Sequence, residues 1–296
     1  MQNILNQLGV KTEFHVDHIV IHSTGWHVPE KLISEARDSS QFISALLLNS
    51  WNLDQDLNLE IKGPIVSEDY LKMTIQMVQQ FGMNLQQDGH LIHVRAGQTP
   101  TPGGPRPEVD VSSAFALAAA AVVAGDAEMT NWTPKAIQPD LIFLKIFDLM
   151  KIKYAETQNS LRVEKQNSWN GVSVNLNRSP DLFPILAVLC ALADGTSDLH
   201  GAAQLKHKES DRLQKTKELL DLTGFRSELK PDGLIIYGRS SAQDKSKKLI
   251  FNPDLDHRMA MAAGLLMLAG YQIQVSTPEV VQKSYKLFWK DVGISR

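Results

Sequence analysis

Lys208 and Arg212 stand four residues apart, a spacing that on a helix puts both cations on one face. The N–H groups of a helix's first turn add partial positive charge there, so the pair outlines an anion site. Glu209 follows Lys208 directly and would point about a quarter-turn away. That could set a carboxylate beside a bound anion as a proton carrier. The same spacing also fits a solvated charged face in which Asp211 and Glu218 balance the lysines. Asp256, His257 and Arg258 open an otherwise apolar segment, MAMAAGLLMLAG. Ionisable groups at a buried helix start need partners or a ligand, and arginine suits bidentate binding of carboxylate or phosphate. An N-cap aspartate followed by an exposed His and Arg is the alternative. Ser39, Ser40 and Gln41 open another apolar segment, where hydroxyls and backbone N–H groups make either a phosphate grip or an ordinary cap. Asp181, behind Pro180, fits a general base or an N-cap.

These residues sit at corresponding points of an internal repeat. From Ser39 the chain reads as an apolar helix (SSQFISALLL), an extended piece (LNLEIKG), a second helix (SEDYLKMTIQMVQQFG) and two short strands (MNLQQDGHLIHV). The order recurs from Ser112 and again from Pro180, where the second helix reads from Lys208 (KESDRLQKTKELLDLTG). A fourth copy runs from Asp256 and ends in a helix, KSYKLFWKDV. The copies start roughly 70 residues apart, longer than solenoid repeats of 20 to 50. They read as duplicated βαβαββ-like subdomains of an α/β fold, with their apolar first helices buried against sheets. Pro and Gly concentrate from Ala96 to Glu108, which places a domain boundary there. Packed with approximate symmetry, the four helix starts would converge, and their dipoles and cations would bind a substrate carrying several negative charges.

The chain of 296 residues has 43% hydrophobic and 21% charged residues, far from the composition of disordered chains. Its formal net charge of -3 supplies no chain-wide positive field for nucleic acid or an anionic membrane. The one cysteine, Cys190, lies in an apolar run and reads as core. The opening residues lack a signal peptide's basic start and apolar stretch. The longest apolar run, from Ala114 to Ala124, falls short of the ~20 residues of a membrane helix. The chain reads as cytoplasmic.

The strings DSSQFISALLL, HKESDRL and DHRMAMA, with SPDLFPILAVL, SEDYLKMT and QKSYKLF, resemble the EPSP synthases, the 3-phosphoshikimate 1-carboxyvinyltransferases of aromatic amino acid biosynthesis. The resemblance spans nearly the whole chain. It implies a two-lobed enolpyruvyl transferase fold and transfer of the enolpyruvyl group of phosphoenolpyruvate to the 5-hydroxyl of shikimate 3-phosphate. The reaction passes through a tetrahedral intermediate and needs no metal or organic cofactor. The resemblance further implies that Ser39, Ser40, Gln41, Ser67, Tyr70, Asp181, Gln204 and Lys208 bind shikimate 3-phosphate. Asp181 would take the proton of the 5-hydroxyl, and Lys208 and Glu209 would move protons at the phosphoenolpyruvate methylene. Gln41, Arg212, Arg258 and Lys283 would hold phosphoenolpyruvate, with His257 beside them.

One departure stands out. The family has six repeats and this chain shows four, which implies residues 1–108 as the remnant of a first lobe and 109–296 as the second. The opening Lys-Ser contacts, the Gly-Asn-Ala-Gly-Thr loop and the Arg-Pro pair of the family find no counterpart in residues 1–38; Arg37 is near the last in position but lacks its motif. A curtailed lobe would expose apolar surface, so self-association or a complementing N-terminal fragment is expected. Two other functions fit this stage: a non-catalytic phosphometabolite-binding paralogue, and a UDP-amino-sugar enolpyruvyl transferase. The latter is disfavoured by Cys190 lying in a helix rather than a loop, and by DHRMAMA.

Overall fold

The structure, a computed structural model, describes residues 1–23, 25–37, 39–104, 107–240 and 244–294. The chain divides into two compact units, Met1–Arg106 and Pro107–Arg296. The division lies in the Pro- and Gly-rich stretch 96–108, of which Pro105 and Arg106 fall outside the described residues.

In Met1–Arg106, α1 (Gln2–Gln7) leads into a hairpin of β1 (Lys11–Phe14) and β2 (Ile19–His22). One complete repeat follows: β3 (Leu32–Glu35), α2 (Gln41–Leu48), β4 (Leu57–Lys62), α3 (Glu68–Gln80), β5 (Leu85–Asp88) and β6 (Leu91–Val94). The sheet order is β3-β4-β6-β5, with β3 parallel to β4 and the other pairs antiparallel. Alternation along β4, LNLEIK, turns Leu57, Leu59 and Ile61 inward, where they share one core with the apolar stripes of α2 and α3.

Pro107–Arg296 holds three repeats around helices that are apolar on every side and therefore enclosed. The first comprises α4 (Val111–Ala124), β7 (Asp126–Thr130), a 3-10 turn at Pro139–Ile142, α5 (Phe143–Met150), β8 (Tyr154–Glu156) and β9 (Ser160–Glu164). The second comprises β10 (Ser173–Asn175), a 3-10 turn at Pro180–Leu182, α6 (Phe183–Ala191), β11 (Thr196–His200), a 3-10 turn at Ala203–His207, α7 (Arg212–Leu222), β12 (Ser227–Lys230) and β13 (Gly233–Tyr237). The third comprises β14 (Leu249–Phe251), α8 (His257–Leu268), β15 (Ile273–Val275), a 3-10 turn at Pro278–Lys283 and α9 (Phe288–Asp291). Sheet orders are β7-β9-β8, β10-β11-β13-β12 and β14-β15. The α4, α6 and α8 helices are central to a single core, which includes Cys190, where burial raises the thiol pKa to about 12. The α/β architecture of repeated subdomains is thus as the sequence implies.

The structure corrects the sequence reading at several points. The helix expected from Lys208 starts at Arg212, because Asp211 caps it, accepting from Gln214 N–H at 3.1 Å. Lys208 precedes the helix in extended backbone, so Lys208 and Arg212 share no helix face and Glu209 lies in the bend between them. His257 and Arg258, placed on the surface in one reading, are 5% and 6% exposed. The final helix expected over KSYKLFWKDV shrinks to a 3-10 turn and the four-residue α9. Packing decides there: Phe288 and Trp289 press against Gly264 of α8, where a Cβ would come within 2.9 Å of the Phe288 ring. The strands β3, β10 and β14, three or four residues each and parallel to the next strand of their repeats, are the leading strands of the βαβαββ-like pattern, at positions the sequence reading did not assign.

Candidate active site

Within Pro107–Arg296 the starts of α4, α6 and α8 are joined by two arginines. Asp256 and Asp110 each stand directly before an apolar helix and cap it, accepting from Arg258 N–H at 2.9 Å and Ser112 N–H at 3.1 Å. Arg212, 1% exposed, donates from Nε to Asp256 Oδ2 at 2.7 Å, from a terminal nitrogen to Asp181 Oδ1 at 2.8 Å, and from the other to Glu209 Oε2 at 2.9 Å. Arg258 reaches Asp181 Oδ2 at 3.3 Å and Ser112 Oγ at 2.7 Å. Lys283 donates to the second oxygen of Glu209, and Ser210 Oγ to Asp256 at 3.0 Å. Asp181, Glu209, Arg212, Arg258 and Lys283 thus form one continuous network. Asp181 sits in the 3-10 turn before α6, so its carboxylate serves the arginines instead of capping that helix.

The charges are unevenly committed. Four N–H groups of Arg212 are already taken by three carboxylates, whereas Arg258 Nε and His257 Nδ1 are buried with no hydrogen-bond partner among the described residues. An orphaned guanidinium donor in the first turn of a 12-residue helix is suited to an anion. Burial disfavours the Asp181 carboxylate, but Arg258, Arg212 and Lys208 outweigh it and bring its pKa down to about 2. Burial likewise opposes ionisation of Glu209, and its hydrogen bond with Lys283 and the charge of Arg212 overcome this, giving about 2. Burial and the two arginines lower His257 to about 4, so at neutral pH its imidazole is uncharged. Gln204 is buried and gives its amide to Asn177 O at 3.0 Å. Among the described residues no group of three His, Cys, Asp or Glu side chains could hold a metal ion.

A second set lies within Met1–Arg106. Ser40 is buried at the start of α2, and its hydroxyl donates to Ser67 O at 3.2 Å. Ser39 Oγ accepts from Gln41 N–H at 3.1 Å. Ser67 takes left-handed backbone at φ 52, an uncommon state for a residue other than glycine, and so turns the chain into α3. Its carbonyl also accepts from Tyr70 N–H at 3.0 Å. The Ser40 bond thus ties the start of α2 to the residue before α3, and Lys72 faces the acidic first turn of α3, 3.0 Å from Glu68 and 3.6 Å from Asp69.

The family model of EPSP synthase (3-phosphoshikimate 1-carboxyvinyltransferase) matches residues 1–292. The chain belongs to the EPSP synthase family. Two 3-phosphoshikimate 1-carboxyvinyltransferases resemble it in sequence. That of Syntrophobacter fumaroxidans is 34% identical over 262 residues, 88% of this chain and 61% of the relative. That of Methanoculleus marisnigri is 31% identical over 254 residues, 85% and 59%. The chain thus spans about three fifths of these relatives' length. In fold it resembles EPSP synthase from Acinetobacter baumannii, with a TM-score of 0.72 at 21% identity, covering 99% of this chain and 70% of that one. The enolpyruvyl transferase NikO from Streptomyces tendae gives 0.73 at 14% identity, covering 98% and 69%.

The sequence reading missed Asp110, Ser112 and Ser210, and placed Asp256 among three ionisable groups at a buried helix start, or as a cap, without naming Arg212 as its partner. A signal for the first two was present: Asp110 precedes α4 as Asp256 precedes α8, each at the head of an apolar helix in a repeated unit.

Proposed function

We propose that this EPSP synthase family chain carries out enolpyruvyl transfer from phosphoenolpyruvate to the 5-hydroxyl of shikimate 3-phosphate, with Pro107–Arg296 as the second lobe and Met1–Arg106 as part of the first. The observation that carries the proposal is the network of Asp181, Glu209 and Lys283 around Arg212 and Arg258, beside an orphaned Arg258 Nε–H. In the reaction the 5-hydroxyl oxygen bonds C2 of phosphoenolpyruvate while a proton adds to C3. Loss of a C3 proton and cleavage of the C2–O bond then expel phosphate. Asp181 accepts the hydroxyl proton, Glu209 and Lys208 serve C3, and Arg212, Arg258 and Lys283 hold the phosphate and carboxylate with Gln41. Ser39, Ser40, Gln41, Ser67, Tyr70, Gln204 and Lys208 bind shikimate 3-phosphate, and His257 supports the anion pocket as a neutral group. An anion that draws Arg212 and Arg258 off Asp181 would raise the carboxylate's basicity, coupling substrate binding to base strength.

The substrates are small phosphorylated metabolites in the cytoplasm, and among the described residues no helix is long and apolar enough to cross a membrane. A polypeptide supplying the remaining repeats completes the cation set around phosphoenolpyruvate. The test is calorimetric titration of the chain with shikimate 3-phosphate. Binding in the micromolar to millimolar range supports the reading, and no binding at low salt contradicts it.

A further inference from the structure

We propose that Ser112, at the head of α4, is a positioning residue that holds the Arg258 guanidinium on an uncharged oxygen and so keeps its charge and its Nε–H for the bound anion. The inference deepens the proposed function and rests on its assignment of Arg258 to phosphoenolpyruvate. Arg258 stands in the first turn of α8, and a terminal nitrogen of its side chain reaches Ser112 Oγ at 2.7 Å, both residues being buried. A guanidinium only donates, and a hydroxyl carries one proton. The Ser112 oxygen therefore accepts from Arg258, and its proton goes to Asp110 Oδ1 at 2.9 Å. Asp110, the N-cap of α4, thus fixes the direction of the hydroxyl that holds Arg258.

The contrast with Arg212 shows what a neutral anchor does. Arg212 is gripped by the carboxylates of Asp181, Glu209 and Asp256. Among the described residues the Arg258 side chain has one carboxylate partner, Asp181, at 3.3 Å. Ser112 adds a second point of attachment that orients the guanidinium without neutralising it. Ser113 supplies an internal control: its hydroxyl donates to the other oxygen of Asp110, and among the described residues it makes no bond to Arg258. The test compares Ser112→Ala with Ser113→Ala in the full chain. Each removes one hydroxyl from Asp110, and the first alone releases Arg258. Side-chain NMR of nitrogen-labelled arginine, with the Arg258 signals assigned from Arg258→Lys, is expected to show terminal N–H groups resolved by hindered rotation in the native chain and in Ser113→Ala. In Ser112→Ala they should average. Calorimetry should give phosphoenolpyruvate binding about tenfold weaker or more in Ser112→Ala, as suits loss of a hydrogen bond to a charged group, and shikimate 3-phosphate binding within a few-fold of native. Circular dichroism verifies that both variants keep their fold. Arg258 signals unchanged in Ser112→Ala, equal effects of the two variants, or parallel losses for both ligands overturns the proposal. A native chain that binds no phosphoenolpyruvate overturns it together with the reading on which it rests. Ser112-dependent binding without any enolpyruvyl transfer supports it and sinks the transfer reading alone.

Discussion

Asp256→Asn isolates the contribution of one buried carboxylate to the arginine network. Asn keeps the size of the side chain and caps a helix about as well as Asp, so α8 loses little from the exchange. What changes is the pair with Arg212, made through Nε at 2.7 Å and a terminal nitrogen at 3.3 Å in a fully buried setting. Removing one partner of a buried pair costs about 3–5 kcal/mol when the other is left uncompensated. Here Asp181 and Glu209 still face the guanidinium, so the lower end, about 3 kcal/mol, is expected. The control is Asp211→Asn, an exposed cap on α7, expected to cost a few tenths of a kcal/mol. Urea unfolding followed by hydrogen exchange of α6 and α8 amides reads Pro107–Arg296 separately from the other unit, with an unchanged m-value showing that stability alone moved. A loss below about 1 kcal/mol, or one equal to that of Asp211→Asn, would refute the claim that Asp256 anchors Arg212.

Three further outcomes follow from the same geometry. His257 titrates near 4 when folded and near 6.5 when unfolded, so between these values protons bind the unfolded chain preferentially. Stability should fall by about 3 kcal/mol as pH drops through that window, and His257→Gln should remove most of this slope; an identical pH profile in the variant contradicts the assignment. Asp181→Asn should lower kcat about 10²-fold or more while leaving the KM for shikimate 3-phosphate within a few-fold, because a general base acts on a proton that moves only in the reaction; steady-state phosphate release measures it, and unchanged turnover removes Asp181 from the mechanism. Ser39→Ala combined with Lys208→Ala should abolish calorimetric binding of shikimate 3-phosphate, and equal affinity in the double variant would show the binding residues to be misassigned.

Much of this arrangement was legible because apolar helices declare themselves. The repeats starting at Ser39, Ser112, Pro180 and Asp256 were visible from unbroken apolar runs that only a buried helix explains, and polar residues at their heads marked the places where function concentrates. What stayed hidden was decided by contacts distant in sequence. By spacing alone Arg212 fits either an anion site or a solvated charged face, and no local pattern shows the partners 31 and 44 residues away that hold it where it is buried. Lys208 and Glu209 read as helical because their spacing fits a turn, but Asp211 supplies a better cap than either and fixes the start four residues later than Lys208. The strands β10 and β14 hold three residues each, too few for alternation to register, and only pairing with a parallel neighbour makes them strands. The role of Ser112 depends on a bond to Arg258 across 146 positions, beyond any local pattern.

The central claim is tested most directly by one assay: phosphate release from phosphoenolpyruvate by the chain co-expressed with the portion of the Syntrophobacter fumaroxidans relative that it does not span. The account predicts release that requires shikimate 3-phosphate, yields one enolpyruvyl product per phosphate, and disappears with Arg258→Ala. Release independent of shikimate 3-phosphate, or no release from a stable complex that binds both substrates, would contradict it.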